Sequence, residues 1–203
     1  MILPFEPYNP VWNVLFLDLE NELNLVCKNI EVQIDHIGST SVEGLSAKPI
    51  IDIQLGVEKE SYLDEIIASL LQLPNVVYYE KYNENMPLRR FFVMFNRSTK
   101  EMGVSPIVRL NQGISEILHN HNLRIAHIHT FVKNSPDWIR HIAFRNYLRT
   151  HPKVKNAYQT LKQKLIESSW KDGNEYNEAK DDFLKENEKN AVEWYKRTIH
   201  QVK

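Results

Sequence analysis

The sequence predicts an α/β chain of the α+β kind: a mixed β-sheet flanked by helices, followed by a C-terminal helical annex. Three observations carry that expectation. Residues 31–37 (EVQIDHI), 51–57 (IDIQLGV) and 123–132 (LRIAHIHTFV) alternate with the period of a strand. Trp12, Phe16, Leu19, Leu23 and Val26 recur at steps of four and three, the stripe of a helix facing a core. Beyond Ser135 every pattern is helical. The expected division is an α/β core over residues 1–133 and a helical region, packed on it, over residues 134–203.

Each element has its own signals. Asn9-Pro10 opens the first helix, with asparagine as cap and proline at the first helical position. Cys27 adjoins the stripe and reads as a small packing residue. In the second strand Ile51, Ile53, Leu55 and Val57 share one face, and Asp52 and Gln54 share the other. Residues 60–72 read as a helix ending near Pro74. NVVYYE (75–80) and RRFFVMF (89–95) read as strands. Residues 96–121 are polar and lack a clear period, with a short strand expected at Ile107–Leu110. In the strand 123–132, Ile125, His127, His129 and Phe131 share a face. Ser135-Pro136-Asp137 supplies a cap, a first-turn proline and a first-turn acid. The helix it starts runs to His151-Pro152, which breaks it and begins another through about Ser168. A last helix carries Tyr176, Phe183, Leu184, Ala191 and Trp194.

Composition narrows the function classes. Hydrophobic residues make up 42% of the 203, enough to build a core. The formal net charge of -1 gives no global basic field, so there is no strong nucleic-acid signal. Any anion site must come from local placement of Arg, Lys and backbone amides. A single cysteine excludes an intramolecular disulfide and a cysteine metal cluster. No apolar run approaches a membrane span, and MILPFEPYNPVW lacks the pattern of a signal peptide. A cytoplasmic location is expected, without a membrane partner.

The chemistry concentrates in HIGSTSVEGLSAKPIIDIQL, residues 36–55. Gly38 and Gly44 bracket the small hydroxyl residues Ser39, Thr40 and Ser41. Glycine lets a backbone approach a ligand closely, and hydroxyls add donors without bulk. The natural guest is a phosphate. Neither a Walker phosphate loop nor a G-x-G-x-x-G fingerprint is present. Asp52 is an acid inside an apolar strand, where an unpaired carboxylate is costly. A Mg²⁺ ion held by Asp52 could bridge to phosphate oxygens above it. Gly-Ser followed by an acid-bearing strand is the layout of the nucleotidyltransferase superfamily, matched here in part by Gly38-Ser39 and Asp52-Ile53-Gln54.

HIGSTSVEGLSAKPIIDIQLGV resembles the signature of the GrpB family, bacterial proteins placed in the nucleotidyltransferase-like group. YNPVW, Arg90-Phe91-Phe92, HIHTF and FRNYLRTHPKVKNAYQTLKQKL resemble further family segments in the same order, and Tyr176, Lys180 and Phe183 resemble its closing Tyr-x-x-x-Lys-x-x-Phe helix. The resemblance covers nearly the whole chain. It implies a nucleotidyltransferase-like sheet, and a related domain fused to some bacterial dephospho-CoA kinases implies a nucleotide or coenzyme A context. Glu43, Asn146 and Gln54 depart from the family or superfamily pattern. Gln54 stands where active transferases carry the second metal carboxylate.

The candidate residues follow. Asp52 is the candidate catalytic carboxylate. Gly38, Ser39, Thr40, Ser41, Lys48, Arg90, Arg145 and Lys180 are candidates for binding phosphate or nucleotide, Arg90 and Arg145 because each guanidinium is embedded among aromatics. Asp52, Gln54, His127 and His129 are candidates for a metal, hypothetically Mg²⁺, with Asp35 or His36 as a further ligand in a histidine-based site. Two functions stay open: a Mg²⁺-dependent transferase of nucleotidyl or phosphoryl groups, and a catalytically degenerate module binding a nucleotide or a coenzyme A-like ligand. A metal-dependent hydrolase built on the two histidines trails both.

Overall fold

The computed structural model of the chain describes residues 5–167, 175 and 178–201. Asn9 caps α1 (Val11–Val26), its Oδ1 accepting from the Val11 amide at 3.0 Å. The predicted stripe buries Trp12, Leu19 and Leu23. Cys27, just beyond, is 1% exposed and burial pushes its thiol up to about 11, which makes it a packing residue and a poor nucleophile.

Five strands form one sheet: β1 (Val32–Ile37), β2 (Ile51–Val57), β3 (Val76–Tyr78), β4 (Arg89–Phe95) and β5 (Arg124–Val132), in the order β1-β2-β5-β4-β3. β2 and β5 run parallel and the other neighbours antiparallel. A parallel pair needs a long crossover, here made through α2 (Tyr62–Leu70), β3 and β4. Alternation along the strands then sorts the sheet into two faces. Ile51, Ile53, Leu55, Phe92, Met94 and Ile128 pack with Trp12, Leu23, Leu63 and Ile66 of α1 and α2 in the main core. The opposite face carries Asp52, Gln54, Phe91, Val93, His127 and His129. The register sets Asp52 beside His127 and Gln54 beside His129, with Val93 and Phe91 flanking the two histidines from β4.

A short α3 (Thr99–Met102) begins at a capping box between Ser98 and Glu101. The stretch expected as a strand at Ile107–Leu110 is reduced to a single parallel bridge, Tyr78 to Ile107. Three longer helices follow: α4 (Pro136–Thr150), α5 (Pro152–Ile166) and α6 (Asp181–Gln201). Ser135 caps α4, its hydroxyl accepting from the Trp138 amide at 3.3 Å. Trp138 and Ile142 of α4 pack on Ile37 and Phe131 of the sheet. Tyr158 of α5 joins Val42, Leu45 and Leu148 in a separate cluster, with Phe183 and Leu184 against it. Tyr176, read as part of the closing helix, lies outside the described residues. No helix among those described is long and apolar enough to cross a membrane.

Candidate functional site

β1 ends at Ile37, directly opposite Asp52 in β2. Gly38 then turns the chain with φ 70° and ψ -172°. A Cβ at this position would stand 2.3 Å from Asp52 Oδ2. Torsion and space both require glycine, and the turn lies against the carboxylate. The 3₁₀ turn Ser39–Ser41 is fastened from within. Ser41 Oγ donates to the Gly38 carbonyl at 2.7 Å, and Thr40 Oγ1 pairs with His36 Nε2 at 2.9 Å. Arg149 of α4 donates Nε and an Nη2 to the Ser41 carbonyl, at 3.1 and 2.6 Å. Those bonds occupy the hydroxyls of Thr40 and Ser41, whereas Ser39 Oγ accepts from Lys162 Nζ of α5 at 3.1 Å.

Between this turn, the polar face of the sheet and α5 lies a cavity of about 760 Å³. Ser39, Thr40, Lys48, Asp52, His127, His129 and Lys180 line it, as do Arg89, Arg124, His119, His121 and Lys162. Among the described residues, five lysine and arginine side chains therefore surround one carboxylate. Asp52 is a third exposed, and its Oδ1 accepts from His127 Nδ1 at 3.2 Å. Arg124, which can only donate, reaches His127 Nε2 at 3.4 Å. In the neutral ring that contact puts the proton on Nδ1, facing Asp52. Burial works to raise the Asp52 pKa, but the His127 hydrogen bond and the charges of His127, His129 and His36 outweigh it and hold the carboxyl below its ordinary range.

The lysines sit under strain of the opposite sign. Lys162 is 2% exposed, donates to the Ser46 carbonyl at 2.5 Å as well as to Ser39, and lies 4.6 Å over the Tyr158 ring. Burial, with the charge of Lys180, lowers it to about 7. Burial also lowers Lys180 to about 8, with Lys48 adding to the effect and Asp52 opposing it. Lys48 falls to about 8 for the same first reason, with Asp52 again opposing. Cations so costly to bury fit a site that receives an anion. Buried nitrogens on three lining residues, Arg124 Nε, His121 Nδ1 and His129 Nδ1, have no hydrogen-bond partner among the described residues. Such orphans are groups a ligand or water can satisfy.

The Mg²⁺ that the superfamily resemblance implies does not fit this donor set. Gln54 is wholly buried and its amide donates to the Trp138 carbonyl at 3.1 Å, which ties β2 to α4. Among the described residues Asp52 is the one carboxylate in the lining, and it already accepts from His127. Both nitrogens of His127 are engaged, and no three His, Cys, Asp or Glu side chains among the described residues form a metal-holding group. Five neighbouring cations oppose a dication further. The grouping of Asp52, Gln54, His127 and His129 as metal ligands is thus not reproduced by their geometry.

Two further expected residues stay out of the cleft. Arg90 points to the other face of the sheet, where Asp64 accepts from its Nε and Nη2 at 2.9 and 2.7 Å. Its neighbour Arg89 lines the cleft instead, because strand alternation puts it with Phe91. Arg145 donates to Asp35 Oδ1 and to the His36 carbonyl, both at 3.0 Å, in an ion pair whose side chains are 12% and 16% exposed. Asp35 is thereby committed to the fold. Sequence reasoning missed Lys162, Arg124, His119 and His121. Lys162 carried a signal: it lies four residues after Tyr158, on the face that α5 buries.

A sequence model of the GrpB protein family matches residues 4–190. The UPF0157 protein YqkA of Bacillus subtilis is 31% identical over 192 residues, which are 93% of this chain and 47% of that protein. The chain thus spans about half the length of that relative. A dephospho-CoA kinase of Mycobacterium bovis is 38% identical over 68 residues, 32% of this chain and 17% of that protein. Among solved structures, the conserved protein GrpB from Enterococcus faecalis superposes with a TM-score of 0.71 at 29% identity, over 94% of this chain and 98% of that one.

Proposed function

The chain belongs to the GrpB family, and from that premise we propose that it binds a phosphorylated small molecule, a nucleotide or a coenzyme A-like ligand, in the cleft above Asp52. One observation carries this reading: the Gly38–Ser39 turn and Asp52 lie on the same side of the sheet, in a cavity where five cations face a single carboxylate. Phosphate oxygens bring negative charge to a lining that holds Lys48, Lys162, Lys180, Arg89 and Arg124. Tyr82, Phe91 and Ile114 line the same cavity and offer an apolar wall for a ring or a chain. The partial match to a dephospho-CoA kinase supports the same ligand class. Binding without turnover is favoured over metal-dependent nucleotidyl or phosphoryl transfer, because the second metal carboxylate is the buried amide of Gln54.

A thermal-shift screen of ATP, CTP, GTP, UTP and CoA tests the reading. At least one is expected to stabilise the protein, and Lys162→Met to abolish that shift. No shift from any of the five sinks the reading. Phosphate favours the charged form of each lysine, so affinity is expected to fall as pH rises through about 7 and 8, where Lys162, and then Lys48 and Lys180, lose their protons. Titrations across that range check the sign, and an affinity that rises with pH contradicts it.

The two neighbouring arginines give a sharper comparison. Arg89→Ala is expected to weaken binding about tenfold. Arg90→Ala is expected to leave affinity within about twofold, since Arg90 does not line the cleft and its bonds go to Asp64 and to the Pro87 and Arg89 carbonyls. Equal losses from the two variants would contradict the assignment of faces.

A further inference from the structure

We infer that Lys48, Lys162 and Lys180 occupy the role of the divalent cation in this cleft, so that the ligand's phosphates bind free of metal and Mg²⁺ competes for them. The inference rests on the proposed ligand class and adds the means of charge neutralisation.

Lys162 is the anchor. Its Nζ is held by Ser39 Oγ at 3.1 Å and the Ser46 carbonyl at 2.5 Å, and it stacks 4.6 Å over Tyr158. An ammonium so fixed is no swinging surface charge: it stands at the turn that approaches Asp52. Its hydrogen-bond acceptors are neutral oxygens, so its charge is not cancelled by them. Lys48 and Lys180 line the same cavity. The position where a second metal carboxylate would stand holds Gln54, turned away to the Trp138 carbonyl. His127 is engaged at both ring nitrogens, by Asp52 and by Arg124.

Charge balance makes the same choice. Among the described lining residues lysines and arginines outnumber carboxylates, with Asp52 standing against Lys162, Arg89 and Arg124 in the same cavity. A phosphate chain already complexed to Mg²⁺ carries two fewer negative charges and satisfies such a wall less well. A dication among the lysines would be repelled by each of them. Asp52, hydrogen-bonded to His127 on one oxygen and covered by Gly38 near the other, is placed to orient the neighbouring donors.

Isothermal titration of the full chain with ATP, CoA and inorganic pyrophosphate, in EDTA and again in saturating Mg²⁺, tests this. Binding is expected in EDTA, weakened about threefold or more in Mg²⁺. Lys162→Met is expected to weaken the EDTA titration about tenfold or more, with Lys162→Arg retaining most of the affinity. Because Lys162→Met removes a buried contact, its fold is checked by near-UV circular dichroism, and Lys180→Met serves as a second variant with the same expected loss. Binding confined to the Mg²⁺ buffer, or tightened tenfold by it, overturns the inference and leaves the proposed ligand class standing. Binding in EDTA that neither lysine variant weakens also overturns it. No binding of any probe in either buffer overturns the ligand class and this inference together.

Discussion

Gly38→Ala is expected to cost about 3 kcal/mol or more of stability and to abolish phosphate-ester binding. Two independent penalties combine. The native torsions, φ 70° and ψ -172°, lie where a residue with a Cβ costs about 1–3 kcal/mol. The new Cβ would also meet Asp52 Oδ2 at 2.3 Å and Asp52 Cβ at 2.9 Å. Asp52 cannot retreat by moving its backbone, because β2 is paired on both edges, to β1 and β5. Rotating the carboxylate away relieves the first contact but breaks its bond to His127. For a chain of this size the loss corresponds to a melting temperature lower by about 6–12 °C. Urea denaturation of the four proteins in a Gly38→Ala, Asp52→Ala cycle isolates the contact. Removing the carboxylate first should make the alanine cheaper, because only the Cβ contact and the torsional strain remain. An unchanged cost in the Asp52→Ala background would assign the whole effect to the backbone.

The faces of the central strands were legible because a strand has only one period to read. Alternation alone put Asp52 and Gln54 opposite Ile51 and Ile53, and it grouped His127 with His129. The pairing that makes them one site, β2 beside β5 in parallel, is a long-range fact that no local pattern carries. Arg90 shows what happens when neighbourhood is weighed above alternation. Its flanking aromatics mark it as buried, and at 12% exposed it is, but the strand sends Arg89 to the cleft and Arg90 to Asp64 on the other face. Arg145 was embedded as expected, and the anion it meets is Asp35 rather than a ligand. Lys162 has only its spacing from Tyr158 to mark it. It turns inward with Tyr158, and its cost of burial is visible only once the cavity is formed. His119 and His121 lie in short 3₁₀ turns, which have no long period to betray a face.

Acidification is expected to destabilise the protein steeply from pH 6.5 downward, a loss that begins well above the range in which carboxylates titrate. Burial drives the cause. His36 stacks on Phe16 at 4.7 Å, and burial lowers it to about 4. His141 is lowered to about 4, again chiefly by burial and then by Arg140. His121 falls to about 3 through burial and the charges of Lys48 and Arg124, and His129 is held well below its ordinary value by burial and by His141. In the unfolded chain all four return to about 6.5. Between that value and about 4 the unfolded state therefore binds protons that the folded state refuses, so stability rises with pH and is lost as pH falls. Each histidine contributes at most about 1.4 kcal/mol per pH unit in that window. Asp52 does not offset the loss. Its lowered pKa stabilises the fold above the ordinary carboxylate range, and that stability starts to be lost only at the acid end of the window, as pH approaches the ordinary carboxylate value, and goes on being lost below it. The lysines are charged in both states below about 7, so they add no slope there. Guanidinium denaturation at several pH values between 7 and 4.5 measures the slope, which should correspond to two or more protons. His36→Gln, which keeps a hydrogen-bonding group near Thr40 Oγ1, should reduce that slope by about one proton. A stability that stays flat from pH 6.5 to 5 would mean that these imidazoles are charged in the folded protein, and their burial beside Arg124, Lys48 and Arg140 would then need anions already in place.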